Sequence, residues 1–145
     1  MALQMTPWRS PRLTGSLRPN DREFALMSSL RIKRVYERPA PDDGVRILVD
    51  RLWPRGLRKD AAALDHWCKD IAPSPELRKW FDHREDRFDE FSKRYRLELK
   101  GNPALADFRK LTKPGKVTLL YAAHDEEVNH AVVLAEYLRA LKARR

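Results

Sequence analysis

The chain has 145 residues, of which 42% are hydrophobic and 35% charged, a composition that excludes a disordered or low-complexity protein and fits one folded domain. No apolar run approaches the ~20 residues needed to cross a bilayer, nothing resembles a secretory signal, and the lone cysteine, Cys68, excludes both an internal disulfide and a CxxC zinc site. The formal charge of +9 divides unevenly, with +2 on residues 1–28, +4 on residues 139–145 and only +3 between them, so it marks basic ends rather than a nucleic-acid binding face.

Residues 1–28 mix Pro, Ser, Arg and Thr without periodicity and are expected to be a disordered N-terminal extension, with Met27 as an alternative start. The domain is then expected over residues 29–145. RIKRVYE (31–37) alternates imperfectly and predicts a strand. RPAPDDG (38–44) is a loop, and RILVDRLW (46–53) reads as a buried strand stopped by Pro54 and Gly56. Residues 61–71 predict a short helix with Leu64, Trp67 and Cys68 on one side. Ser74 and Pro75 then open a second helix, as N-cap and first helical residue. Phe88, Phe91, Tyr95 and Leu99 form a stripe on a helix over about 85–99, and another helix spans about 103–112. After a Pro114-Gly115 turn, VTLLYA (117–122) is the clearest buried strand, and residues 126–142 predict the last helix. The expected fold is α/β: a small, mainly parallel sheet of about three strands with helices packed on it, in a single domain.

Two strand ends carry the chemistry. VDRLWPRGL (49–57) places Asp50, Arg51, Trp53 and Arg55 at the carboxyl end of a strand, where ligands bind in open α/β sheets. Two arginines four residues apart across a turn can share one anion, with Asp50 orienting them or acting as base. The same residues also fit a structural Asp–Arg network that fixes the turn. YAAHDEEVNHA (121–131) is the second strand end. Its Asp125, Glu126 and Glu127 are expected in the first helical turn as caps, and Asn129 and His130 follow as polar residues among apolar ones. His130 is the candidate general acid or base, and Asn129 a ligand hydrogen-bonder. No two histidines stand at i, i+4, so no metal site is expected. No GxGxxG, GxxxxGK[ST] or GxSxG occurs, and no cofactor is named by the sequence. Cys68, between Trp67 and Lys69, is expected to be packed rather than a reactive thiolate.

ILVDRLWPRG, WCKDIAPSPELRKWF, FDEFSKRYRLEL and TLLYAAHDEEVNHAVVLAEYL together resemble the YeaO-like family, catalogued as domain of unknown function 488, over about residues 31–141. The resemblance supplies no agreed activity, so Asp50, Arg51, Arg55, Asn129 and His130 carry over as motif residues. His124 departs from the family pattern, which has Lys or Arg there, and so makes the charge of this corner pH-dependent. The expected function is binding of, or action on, a small anionic metabolite or nucleotide at the carboxyl strand ends of a cytoplasmic protein. The alternative is a nucleic-acid or protein binding module using the basic C-terminal helix. A salt-dependent shift with DNA or RNA, lost on removing residues 139–145, distinguishes the two.

Overall fold

The computed structural model describes residues 29–113 and 115–143. The extension at residues 1–28, the start at Met27, Pro114 of the predicted turn and the last two arginines lie outside the described residues.

Among the described residues four strands form one all-parallel sheet: β1 (Leu30–Arg34), β2 (Val45–Leu48), β3 (His66–Trp67) and β4 (Val117–Tyr121), in the order β1-β4-β2-β3. β4 is buried at every residue because it lies between β1 and β2, as a near-continuous apolar run in a parallel sheet requires. Five α-helices among the described residues accompany the sheet: α1 (Lys59–Ala62), α2 (Pro75–Phe81), α3 (Phe88–Lys100), α4 (Leu105–Thr112) and α5 (His130–Ala143). The architecture is a single α/β domain.

Strand periodicity divides the core in two. Leu30, Ile47, Val117, Leu119 and Tyr121 join Phe81, Phe91, Tyr95, Leu99, Phe108 and the apolar residues of α5 in the main cluster. Leu48 and Leu120 point the other way, into a smaller cluster with Val35, Trp53, Leu57 and Leu64. That alternation is the period-two rule of an extended chain.

Four assignments differ from expectation. The predicted helix over 61–71 is instead α1, the edge strand β3 and a 3-10 turn at Lys69–Ile71. Ala63, at φ 49°, ends α1 in the left-handed region. The Asp65 N–H then donates to the Arg46 carbonyl, the Asp65 carboxylate accepts the Arg46 N–H, and the Cys68 N–H reaches the Leu48 carbonyl. The open edge of β2 thus takes a partner that satisfies its backbone groups, which outweighs the local helical pattern. Trp67 is consequently exposed at 37%, not packed on a helix face. β2 ends at Leu48 rather than Trp53, and β1 ends at Arg34 rather than Glu37, where the Arg34 N–H turns to the Glu37 carboxylate. The last helix begins at His130, not 126. The predicted helix start at Ser74 is present, and its hydroxyl accepts the Leu77 N–H.

The amino ends of the strands are fastened by Asp43. Its buried carboxylate accepts from Arg46 at 2.5 Å, Lys33 at 3.0 Å and the Ala40 N–H at 3.0 Å, and its carbonyl accepts from the Thr118 hydroxyl at 2.7 Å. Gly44, which follows, has φ 69°, and a Cβ there would lie 2.3 Å from the Lys116 carbonyl oxygen, so only glycine lets these segments meet. Burial alone would raise the Asp43 pKa, but the Ala40 N–H, Lys33 and Arg46 outweigh it and hold the carboxyl below its ordinary value. A depressed folded-state pKa stabilises the fold above the unfolded value, and that stabilisation is lost as pH falls through the folded value. Asp43→Asn is therefore expected to cost about 3–5 kcal/mol at pH 7, since it strands the buried Arg46 and the half-buried Lys33. It should also flatten the acid limb of a urea-unfolding series below about pH 4. An unchanged acid limb would show that other carboxylates govern acid unfolding.

Candidate functional site

Parallel strands deliver their carboxyl ends to one edge, and a cavity of about 720 Å³ opens there. Tyr36 follows β1, Asp50, Arg51, Leu52 and Arg55 follow β2, and Ala122 to Asp125 follow β4. Ala72, Pro73, Arg78, Phe81 and His83 close it from around α2, Phe91 from α3, and Asn129 and His130 from the start of α5. The volume falls within the usual range for small-molecule sites, roughly 300–1,000 Å³.

Asp50 and His130, distant in sequence, meet at the back of this cavity. One Asp50 carboxylate oxygen, Oδ2, accepts the Ala122 N–H at 3.1 Å. The other, Oδ1, lies 3.2 Å from His130 Nε2, is buried and has no hydrogen bond among the described residues. The reason is direction: His130 Nε2 is also 3.0 Å from the Val49 carbonyl. A carbonyl only accepts, so the proton sits on Nε2 and is aimed at Val49, leaving Asp50 Oδ1 close but unaligned. The imidazole is further held against the edge of the Tyr95 ring, with centroids 6.3 Å apart. Burial, followed by the charges of Glu98 and Asp50, pushes the Tyr95 phenol well up, and its hydroxyl donates to the Ile71 carbonyl at 2.8 Å.

The other predicted site residues divide. Arg51 reaches the cavity, but Nε and Nη2 donate to the Pro73 and Ala72 carbonyls at 3.3 and 3.2 Å, so it also braces the loop before α2. Arg55 is exposed in the cavity wall, and its guanidinium has no partner among the described residues. It occupies a turn in which the Leu57 N–H bonds to the Pro54 carbonyl and Gly56 takes φ 77°, the left-handed third position of a tight turn. Asn129 lines the cavity, yet both ends of its amide are engaged. Nδ2 donates to the Asp125 carbonyl at 2.8 Å, and Oδ1 accepts the Val132 N–H at 3.0 Å in the first turn of α5. Asn129, not Asp125, thus caps α5. Asp125 accepts the N–H groups of Glu127 and Val128, forming a turn before the helix, and these bonds lower its pKa. Trp53 does not line the cavity. Its indole donates to the Leu57 carbonyl at 2.8 Å and packs edge-on against Trp67, on the opposite side of the sheet.

Arg78, His83 and His124 also line the cavity, and the first two went unread in the sequence. Arg78 is exposed and its guanidinium, like that of Arg55, has no partner among the described residues. Its signal was its place three residues before Phe81 on α2, which puts both on one helix face. Three arginines thus stand against two aspartates, one of them hydrogen-bonded by two backbone N–H groups. Cys68 is half-buried, and burial with the Asp70 charge pushes its thiol up, away from a thiolate. Among the described residues no group of three or more His, Cys, Asp or Glu side chains is placed to hold a metal, and no helix is long and apolar enough to cross a membrane.

Residues 29–145 match the sequence model of a family described as the inactive DUF488-N3 subclade. The chain is 52% identical over 109 residues to the uncharacterized protein Rv3073c of Mycobacterium tuberculosis, covering 75% of this chain and 92% of that protein. The same figures hold for the uncharacterized protein Mb3100c of Mycobacterium bovis. It is 45% identical over 117 residues to the uncharacterized protein YeaO of Escherichia coli, covering 78% of this chain and 99% of that one. No solved structure gives a significant match.

The two kinds of wall residue separate by mutation. Asn129→Ala removes a cap and leaves partly buried backbone groups at Asp125 and Val132 unmet, and is expected to cost about 1–2 kcal/mol in urea unfolding. Arg55→Ala and Arg78→Ala should each stay within about 0.5 kcal/mol of the parent. A loss of stability in either arginine variant as large as that of Asn129→Ala would assign it a structural role.

Proposed function

The chain belongs to the YeaO-like DUF488 family, and we propose that its cavity binds a small anionic metabolite or nucleotide in the cytosol without turning it over. The observation that carries this reading is a pair of guanidiniums, Arg55 and Arg78, which line one cavity on separate segments and engage no protein group among the described residues. Guanidinium is a rigid fork of donors suited to carboxylate and phosphate, and unpaired cations in a concave wall raise the local anion concentration. Arg51 adds a third cation, fixed by two carbonyls.

Binding without turnover is supported on two counts. The matching subclade is described as inactive. The Asp50–His130 pair has the proximity of an acid–base couple, but the Nε2 proton is directed at the Val49 carbonyl. In this reading Asp50 and His130 hold the strand ends in place and form the back wall. The basic C-terminal helix is less suited to hold nucleic acid, because Arg139 is half-buried and donates to the Leu30 carbonyl at 2.5 Å.

The test is a thermal-shift screen of the full chain against phosphates, nucleotides, carboxylates and short nucleic acids. A ligand at 100 times its dissociation constant should stabilise the fold by about 2.7 kcal/mol. That gain is expected for at least one small anion and should vanish in the Arg55→Ala/Arg78→Ala double variant. Stabilisation that survives the double variant, or appears only with nucleic acid at low salt, would sink the reading.

A further inference from the structure

The anion reading leaves most of the cavity wall unexplained. Inorganic phosphate needs donors, not 720 Å³ of space or a wall containing Phe81, Phe91, Tyr36 and Leu52. Phe81 and Phe91, stacked at 4.1 Å, both line the cavity. Tyr36 and Leu52 are more telling. The described residues include four large hydrophobic side chains held out in solvent: Tyr36, Leu52, Trp67 and Leu97. Two of those four line this one cavity, with Leu52 60% exposed and Tyr36 43% exposed. Scattered exposed apolar residues need no account, but their concentration beside a concave site marks surface that a ligand covers. Tyr36 is not loose either, since its hydroxyl donates to the Arg55 carbonyl at 2.7 Å, tying an apolar wall to the turn that carries a free guanidinium.

We propose, on the basis of the anion-binding reading above, that the cavity takes a phosphate monoester carrying a flat aromatic body. The ring lies among Leu52, Tyr36 and the Phe81–Phe91 stack, and the phosphate meets Arg55 and Arg78. A phosphate monoester suits two guanidiniums because its three terminal oxygens accept several charge-assisted bonds at once. The aromatic body suits walls of ring carbon and a leucine, because a flat ring removes the most apolar surface from water for the least loss of internal freedom.

Isothermal titration of the full chain with phenyl phosphate and methyl phosphate tests this directly, since the two probes share the anion and differ in the ring. Phenyl phosphate is expected to bind at least about tenfold more tightly, the scale set by burying a ring-sized apolar area. Arg78→Ala should weaken both probes by the same factor. Leu52→Ser, at a residue exposed enough to leave folding intact, should narrow the ratio between them. Equal affinities for the two probes, both sensitive to Arg78→Ala, would overturn the aromatic ligand and leave the anion site standing. Binding of neither probe would overturn both.

Discussion

The carboxyl edge of this fold is organised by the Asp50 carboxylate. It lies two residues beyond the last residue of β2 and accepts the Ala122 N–H, one residue beyond β4, so it joins the two strands where their ladder has stopped. Its own carbonyl accepts the Trp67 indole N–H at 2.8 Å, which brings in the edge strand, and its second oxygen packs against the ring at the head of α5. Three strand ends and a helix therefore share one residue. A buried carboxylate oxygen without a hydrogen bond is costly. It persists here because Ala122, Trp67 and the neighbouring Val49–His130 contact fix the segment from several directions.

The fate of the arginines explains why a basic chain need not be a nucleic-acid binder. Arg34 donates to the Ala122 and Ala123 carbonyls, Arg46 to Ala62 and Ala63, Arg51 to Ala72 and Pro73, Arg87 to Trp80 and Arg139 to Leu30. A small sheet with irregular connections leaves many carbonyls outside any ladder, and each needs a donor. Arginine supplies five donors and reaches far, so much of the positive charge of the core caps backbone. Against that background the guanidiniums of Arg55 and Arg78, like those of Arg38 and Arg109, cap nothing among the described residues, and of these four only Arg55 and Arg78 line the cavity.

How much of this was legible depends on whether the signal was local. VTLLYA announced β4, and Ser74-Pro75-Glu76 announced α2, because an apolar run and a helix cap are written in adjacent residues. Asp50 and His130 were each singled out by polarity within an apolar pattern, and they do meet. β3 was not legible, since a two-residue edge strand exists only through its bonds to β2. Trp53 was placed at the cavity by its position in the loop, but the irregular turn after β2, closed by its bond to the Leu57 carbonyl, carries it to the smaller cluster with Leu48. Asn129 was read as a ligand donor, and its neighbours Asp125 and Val132 absorb it instead. Arg78 was passed over as an ordinary solvent-facing helix residue, because the cavity that gives it meaning is built by segments as far along the chain as His124 to His130.

The two edges of the sheet now contrast in a way that bears on where a ligand can act. At the amino edge Asp43 gathers Arg46, Lys33, Ala40 and Thr118, and the groups of opposite charge satisfy one another. Such a site has little to offer a third party, because any ligand must first displace good internal bonds. At the carboxyl edge the acidic groups are met by backbone N–H groups, at Ala122 for Asp50 and at Glu127 and Val128 for Asp125. Backbone donors give these carboxylates hydrogen-bond partners without consuming a cation, so the guanidiniums of Arg55 and Arg78 remain without a partner among the described residues beside a large apolar wall. The asymmetry follows from parallel topology, which collects loops of variable length at one edge. A chain that satisfies its acids with amides at that edge keeps its arginines available for something that is not part of itself.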